Sequence, residues 1–288
     1  MKVPVLEMEF YTYTFTIIHM NKNLLFIVYT SFNFGALVNN VYIAMKKILV
    51  LFLIPFLFSF QTAPDKIHIY IAGDSTSQTY DTTKTLQRGW GQYLSSFFDD
   101  KVEVINKAKA GRSTKSFQDE GRWNEIVSNI KKGDWVIIQF GHNDTSDKPE
   151  RHASPEDFKK NLIKFISDVR SKKANPLLLT PVVMRTFKDG ALIDDRLKSY
   201  PGITREVAKE YNVPMIDINL KTRDLVLKLG DEKSKSLYMW LEPGIDPSKP
   251  EGSKDDTHSL EKGAVQIAKF VSEGVKELKL NNLYKHLK

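Results

Sequence analysis

Five short apolar runs rich in β-branched residues, separated by stretches whose apolar residues recur at helical spacing, constrain this chain more than any other feature. The runs cover residues 67–73, 102–108, 134–140, 176–180 and 213–218. Unbroken apolar character over so few residues marks strands buried on both faces, because successive side chains turn to opposite sides of a sheet. Between the runs, Trp123, Ile126, Val127 and Ile130 share one helical face, as do Phe158, Leu162, Phe165, Ile166 and Val169. Ser154-Pro155-Glu156-Asp157 opens the second of these helices with a cap residue, Pro at the first helical position and acids at the positive end of the dipole. The spacing predicts further helices over 89–98, 200–211 and 220–229, and a last one through Val265, Ala268, Val271 and Val275. Strands that alternate with helices pair in parallel through right-handed crossovers. The expected fold is therefore a three-layer α/β domain around a five-stranded parallel sheet.

A parallel sheet brings the carboxyl ends of its strands to one edge, and open α/β sheets place ligands there. Three glycine-bearing corners fall at such ends: Gly73-Asp74-Ser75-Thr76, Gly111-Arg112 and Gly141-His142-Asn143. A fourth block, Asp255-Asp256-Thr257-His258, closes a Pro-, Gly- and Lys-rich stretch over 241–255 that reads as a surface loop. Taken alone, the first corner reads equally as a turn whose Ser caps a helix. Taken together, the blocks hold the parts of a nucleophilic site. A serine needs a base, the base needs a carboxylate to set its tautomer, and the developing oxyanion needs donors already in place. Ser75, His258 and Asp255 fill the first three roles; the N–H groups of Ser75 and Gly111 and the amide of Asn143 supply the donors. Asp256, one residue from Asp255, is expected to face solvent or cap the following helix.

The neighbouring residues carry two readings each. Arg112 is either a contact for an acidic sugar or part of a structural ion pair, and His142 either approaches substrate or packs behind the Asn143 loop. Asp74 orders its turn or joins in proton transfer. Asp144 is expected to brace its loop, and Trp90 and Trp123 to lie in the core rather than to stack on sugars.

These blocks resemble the SGNH, or GDSL-type, hydrolase family over residues 66–278. Ala110-Gly111-Arg112-Ser113-Thr114, Glu120-Gly121-Arg122-Trp123, Gln139-Phe140-Gly141-His142-Asn143-Asp144, Thr180-Pro181-Val182-Val183 and Met239-Trp240 are similar to its rhamnogalacturonan acetylesterase branch. The resemblance implies a flavodoxin-like sheet, a serine esterase that removes acetyl groups from the pectin backbone, and no metal or other cofactor. It also implies Ser75 as nucleophile, His258 as base, Asp255 as its orienting acid, and Ser75, Gly111 and Asn143 as the oxyanion hole. The alternatives within the enzyme class are an esterase for acetylated xylan or another glycan, or for lipids. The alternative outside it is a catalytically idle carbohydrate-binding protein.

The first 63 of the 288 residues do not belong to this domain pattern. Met45-Lys46-Lys47 precedes an apolar run over 48–60 and then Gln61-Thr62-Ala63-Pro64, the proportions of a secretory signal peptide over 45–63. Residues 1–44 are expected to be a misassigned upstream segment, with a membrane anchor as the other reading, and 64–288 to form an exported, periplasmic or extracellular domain. Without residues 1–60, which hold four Lys and two Glu, the net charge falls from +7 to +5. That excess is scattered without a run of like charges, which argues for a solvated surface tolerant of acidic polysaccharide and against a nucleic-acid partner. The chain has no cysteine, so thiolate metal sites, a Cys nucleophile and disulfides are excluded.

Overall fold

Along the first strand Ile69 and Ile71 turn to one side and Tyr70 and Ala72 to the other, and the layering follows from that alternation. A computed structural model describes residues 66–193 and 196–288, all within the unit Pro64–Lys288. The expected upstream segment 1–44 and signal segment 45–63 lie outside the described residues. In chain order the elements are β1 (Ile67–Gly73), β2 (Val102–Asn106), α1 (Thr114–Asp119), α2 (Arg122–Asn129), β3 (Trp135–Gln139), α3 (Pro155–Ser171), β4 (Asn175–Leu179), β5 (Phe187–Lys188) and β6 (Ala191–Leu192). They continue with α4 (Tyr200–Glu210), β7 (Met215–Ile216), α5 (Ile218–Ser234), β8 (Tyr238–Leu241), β9 (Ser253–Ser259) and α6 (Glu261–Glu277).

The main sheet has the order β2-β1-β3-β4-β7, and every pair is parallel, as expected. Tyr70, Ala72, Val136, Ile138 and Leu178 meet Phe117, Trp123, Phe158, Phe165 and Val207 from α1 to α4 on one face. Ile69, Ile71, Ile137 and Leu179 meet Trp90, Leu94, Ile218, Ile267 and Val271 on the other. Trp123 is stacked on Phe165 at 4.0 Å, and both it and Trp90 are fully enclosed, so neither is a platform for sugar. From β1 the chain builds outward to β2 on one side and to β3 on the other. The crevice between the carboxyl ends of β1 and β3 is thus the switch point of the sheet.

Two elements differ from their sequence expectations. The stretch 89–98 forms two short 3-10 turns, Trp90–Gln92 and Leu94–Phe97, in place of one α-helix. The Trp90 N–H is held by the Thr76 carbonyl at 3.0 Å, and a Cβ at Gly91 would lie 2.5 Å from the Ser77 carbonyl oxygen. Backbone thus packs directly on backbone there, and an α-helix has no room. The fifth strand shrinks to Met215–Ile216, because Pro214 has no N–H for the ladder and Asp217 caps α5, its side chain accepting the Leu220 N–H.

The stretch after 241 also differs. β8 and β9 form an antiparallel hairpin, so Asp255 and His258 belong to a strand and only 242–252 is loop. Trp240 pairs with Lys254 and Tyr238 with Ser259. One residue on β8, Met239, therefore lies opposite four on β9, and Asp255–His258 bulges out between the two rungs. The Arg88 N–H donates to the Ser259 carbonyl at 2.8 Å and ties the hairpin to the loop that follows β1.

Candidate active site

The corner after β1 is locked from below. Asp74 Oδ1 accepts the Thr76 N–H at 2.9 Å and the Thr76 hydroxyl at 2.7 Å, so the Asp orders the turn, the first of its two sequence readings. Gln139, at the end of β3, donates to Thr76 Oγ1 at 3.0 Å and accepts Trp90 Nε1–H at 2.6 Å. The Tyr80 hydroxyl donates to the Ser75 carbonyl at 2.8 Å and accepts from Gln87 at 2.6 Å. Sequence reasoning missed Tyr80, because a polar loop residue carries no periodicity that would mark it. Ser75 is 7 % exposed, which leaves its hydroxyl as the part that reaches the cavity.

His258 Nε2 lies 2.8 Å from Ser75 Oγ, and His258 Nδ1 lies 2.7 Å from Asp255 Oδ2. The bulge makes this possible. Asp255 Oδ1 accepts the N–H groups of Thr257 at 2.8 Å and His258 at 3.0 Å, which folds the backbone so that residues three apart meet. Burial pushes the Asp255 carboxyl up, but His258 and these two N–H groups outweigh it and hold it at about 2. The carboxylate is therefore charged throughout the neutral range and keeps the Nδ1 proton on the imidazole. Nε2 is then a free acceptor facing the serine hydroxyl.

In the loop after β2, Gly111 adopts a left-handed φ of +78°, and a Cβ there would lie 3.3 Å from the Arg151 guanidinium. Among the described residues, neither the Ser75 N–H nor the Gly111 N–H donates to another protein group. Asn143 donates one amide hydrogen to the Arg112 carbonyl at 3.2 Å and lines the cavity beside Ser75. Behind it, Asp144 Oδ1 accepts the N–H of Thr114 at 2.9 Å and its hydroxyl at 2.5 Å, joining the loops after β2 and β3. Asp144 Oδ2 is buried with no partner, and burial raises the carboxyl to about 7.

His142 both lines the cavity and is held from behind. Nδ1 lies 3.3 Å from Asp74 Oδ2 and Nε2 lies 3.0 Å from the Val182 carbonyl. Burial would raise the Asp74 carboxyl; His142 and Thr76 together hold it below the usual range. Arg112 is an ion pair. Its guanidinium grips Glu120 at 3.0 Å and the Ala110 carbonyl at 2.8 Å, and Glu120 is shared with Arg122 at 2.6 Å.

Asp256 does not face solvent or cap a helix. Its Oδ1 accepts Trp240 Nε1–H at 2.8 Å and lies 3.0 Å from Arg185 Nε, while Arg185, 2 % exposed, also reaches Asp231 at 2.6 Å and stacks on Trp240. No sequence pattern marks Arg185, whose charge lies in a region that otherwise reads as loop. Ser75, Asn143, Asp255 and His258 open onto a cavity of about 540 Å³, completed by Met184, Thr186, Arg196 and Lys254.

A sequence model of the GDSL-like Lipase/Acylhydrolase family matches residues 71–263, from β1 into α6. The chain belongs to that family. As an acylhydrolase it is 41 % identical over 214 residues to the rhamnogalacturonan acetylesterase RhgT of Bacillus subtilis, an alignment covering 74 % of this chain and 91 % of the relative. It superposes on the crystal structure of YXIM from Bacillus subtilis with a TM-score of 0.66 at 27 % identity, over 76 % of this chain and 58 % of that one. With the acetylxylan esterase Axe2 of Geobacillus stearothermophilus it shares the fold, at a TM-score of 0.53 and 17 % identity over 73 % of this chain and 94 % of Axe2. The chain is thus a carboxylic-ester hydrolase of flavodoxin-like architecture.

Proposed function

We propose that the protein is an exported serine esterase that removes acetyl groups from plant cell-wall polysaccharide, with rhamnogalacturonan as its substrate. The observation that carries this reading is the unbroken chain from Ser75 Oγ through His258 to Asp255, at 2.8 and 2.7 Å, on the wall of a cavity large enough for a sugar unit. The polysaccharide comes from the relative that is 41 % identical over most of both chains. Export rests on the charged start and short apolar run over 45–63.

In this mechanism Ser75 Oγ attacks the acetyl carbonyl carbon as its proton passes to His258 Nε2. The carbonyl oxygen becomes an oxyanion met by the N–H groups of Ser75 and Gly111 and the free amide hydrogen of Asn143. Collapse breaks the ester bond, and Nε2 returns its proton to the departing sugar oxygen. Water, deprotonated by the same nitrogen, then attacks the acetyl-serine and releases acetate. Asp255 stays ionised and stabilises the imidazolium in both halves.

Acetate release from acetylated rhamnogalacturonan, homogalacturonan, xylan and mannan tests the assignment. The expected order places rhamnogalacturonan first. A preference of about tenfold or more for xylan or mannan, a margin of about 1.4 kcal/mol, overturns it.

A further inference from the structure

The cavity beside Ser75 is lined by two acids and two cations besides the histidines. The acids are already matched: Asp255 pairs with His258 and Asp256 with buried Arg185. The cations are Lys254 and Arg196, both exposed at the cavity mouth, and among the described residues neither has an acid within ion-pair distance. Lys254 is fixed by its rung with Trp240, immediately before the bulge that carries Asp255 and His258. The mouth of the site thus presents positive charge that nothing described in the protein neutralises. Arg112, the cation singled out by sequence pattern, has Glu120 as its carboxylate and does not line the cavity.

We propose that Lys254 and Arg196 form a carboxylate subsite that receives a uronate carboxylate of the acetylated glycan. This rests on the esterase reading above and adds to it the group that is recognised. The physical case is charge and reach. Guanidinium and ammonium groups on long side chains at the rim of a half-open cavity hold an anion without entering the space that the acetyl group needs. A uronate carboxylate is the one ionised group of an acidic plant glycan, and two cations on the same rim favour such a glycan over a neutral one of equal size.

The test compares an acetylated rhamnogalacturonan oligosaccharide with the same oligosaccharide methyl-esterified at its carboxylates, acetyl groups retained. For Lys254→Ala and Arg196→Ala, kcat/KM on the free-carboxylate substrate is expected to fall about fivefold each and about twentyfold together, mainly through KM, as for ion pairs at the strong end of the exposed range. The loss on the methyl ester is expected to be several-fold smaller, and Lys254→Arg to restore most of the lost affinity. Equal losses on the two substrates, or losses in kcat alone, overturn the subsite.

A second arm reads the subsite independently of the natural substrate. Unacetylated oligogalacturonate is used as an inhibitor of p-nitrophenyl acetate hydrolysis, with its inhibition constant expected to rise about tenfold in the double variant and to rise with salt in the wild type. No inhibition of the wild type, or undiminished inhibition of the variants, overturns the subsite. If oligogalacturonate inhibits as expected while acetylated rhamnogalacturonan is not turned over, the substrate assignment fails and the subsite stands.

Discussion

Replacing Asp255 by Asn tests the site at its most informative atom, because the change is isosteric and removes only a charge and an acceptor. Asn Oδ1 can keep the N–H bonds of Thr257 and His258 now made by Asp255 Oδ1 at 2.8 and 3.0 Å, so the bulge survives. The other atom becomes an N–H donor facing His258 Nδ1 across 2.7 Å. The imidazole then carries its proton on Nε2, which turns a donor toward Ser75 Oγ at 2.8 Å and leaves the hydroxyl with no base. In a serine protease the same change lowers kcat by about 10⁴; an ester's alcohol leaves more readily than an amine, so the expected loss here is about 10² to 10³. The structure also sets a stability cost. The Asp255 carboxyl lies at about 2 when folded, against an ordinary value of 3.8. At ~1.4 kcal/mol per unit, reduced by about half because the side chain is nearly a third exposed, the carboxylate contributes about 1 kcal/mol. That contribution is present above the unfolded value and is lost as pH falls toward 2, so at pH 7 the variant is expected to melt about 2–4 °C lower. Acetate release and thermal unfolding of the two proteins at pH 7 check both numbers. A variant that keeps more than a tenth of wild-type kcat while folded refutes the tautomer argument.

Ser75→Ala is expected to leave the fold intact and less than about one per cent of the turnover, read by acetate release, since only the nucleophilic oxygen is lost. Asn143→Ala is expected to lower kcat by about 10² to 10³, with little change in KM; a loss confined to KM means that Asn143 binds the substrate and does not serve the oxyanion. Asp256→Asn takes the charged partner of Arg185 away inside the protein while Asp231 remains, so a loss of about 1–2 kcal/mol and a Tm lower by several degrees are expected in calorimetry, with no loss expected if the pair is merely superficial. Asp144, raised by burial to about 7, holds its proton more tightly folded than unfolded, so its stabilising share is full below pH ~4 and lost as pH climbs to 7. The melting advantage of wild type over Asp144→Asn is therefore expected to shrink between pH 4 and 8, and a difference that stays constant would falsify the assignment.

The sheet was legible because its strands are buried on both faces, which leaves an apolar run that no exposed element imitates. The positions of Ser75, Gly111 and Asn143 at its edge follow from the parallel pairing alone. What escaped the sequence depends on contacts between distant segments. The 3-10 turns at 90–97 arise from backbone packing against Ser77, and the hairpin of β8 and β9 joins a short aromatic strand to one made of Ser, Lys, Asp, Thr and His, a composition with no strand signal. The expectation that Asp256 faces solvent failed for the same reason: its partners Arg185 and Trp240 lie 71 and 16 residues away. Helical spacing locates α5 but not the bend at Gly230, where φ is +73°.

The bulge on β9 separates two kinds of order. Asp255 and His258 find each other within four residues, whereas Ser75 is 183 positions from the imidazole that faces it. A chain that has made its hairpin but not docked it already owns a polarised imidazole with nothing to deprotonate. Turnover consequently requires the long-range contact that seats the hairpin on the loop after β1, of which the Arg88 and Ser259 bridge is part. On gentle warming, turnover is therefore expected to be lost before the amides of the central strands lose their protection from exchange with solvent.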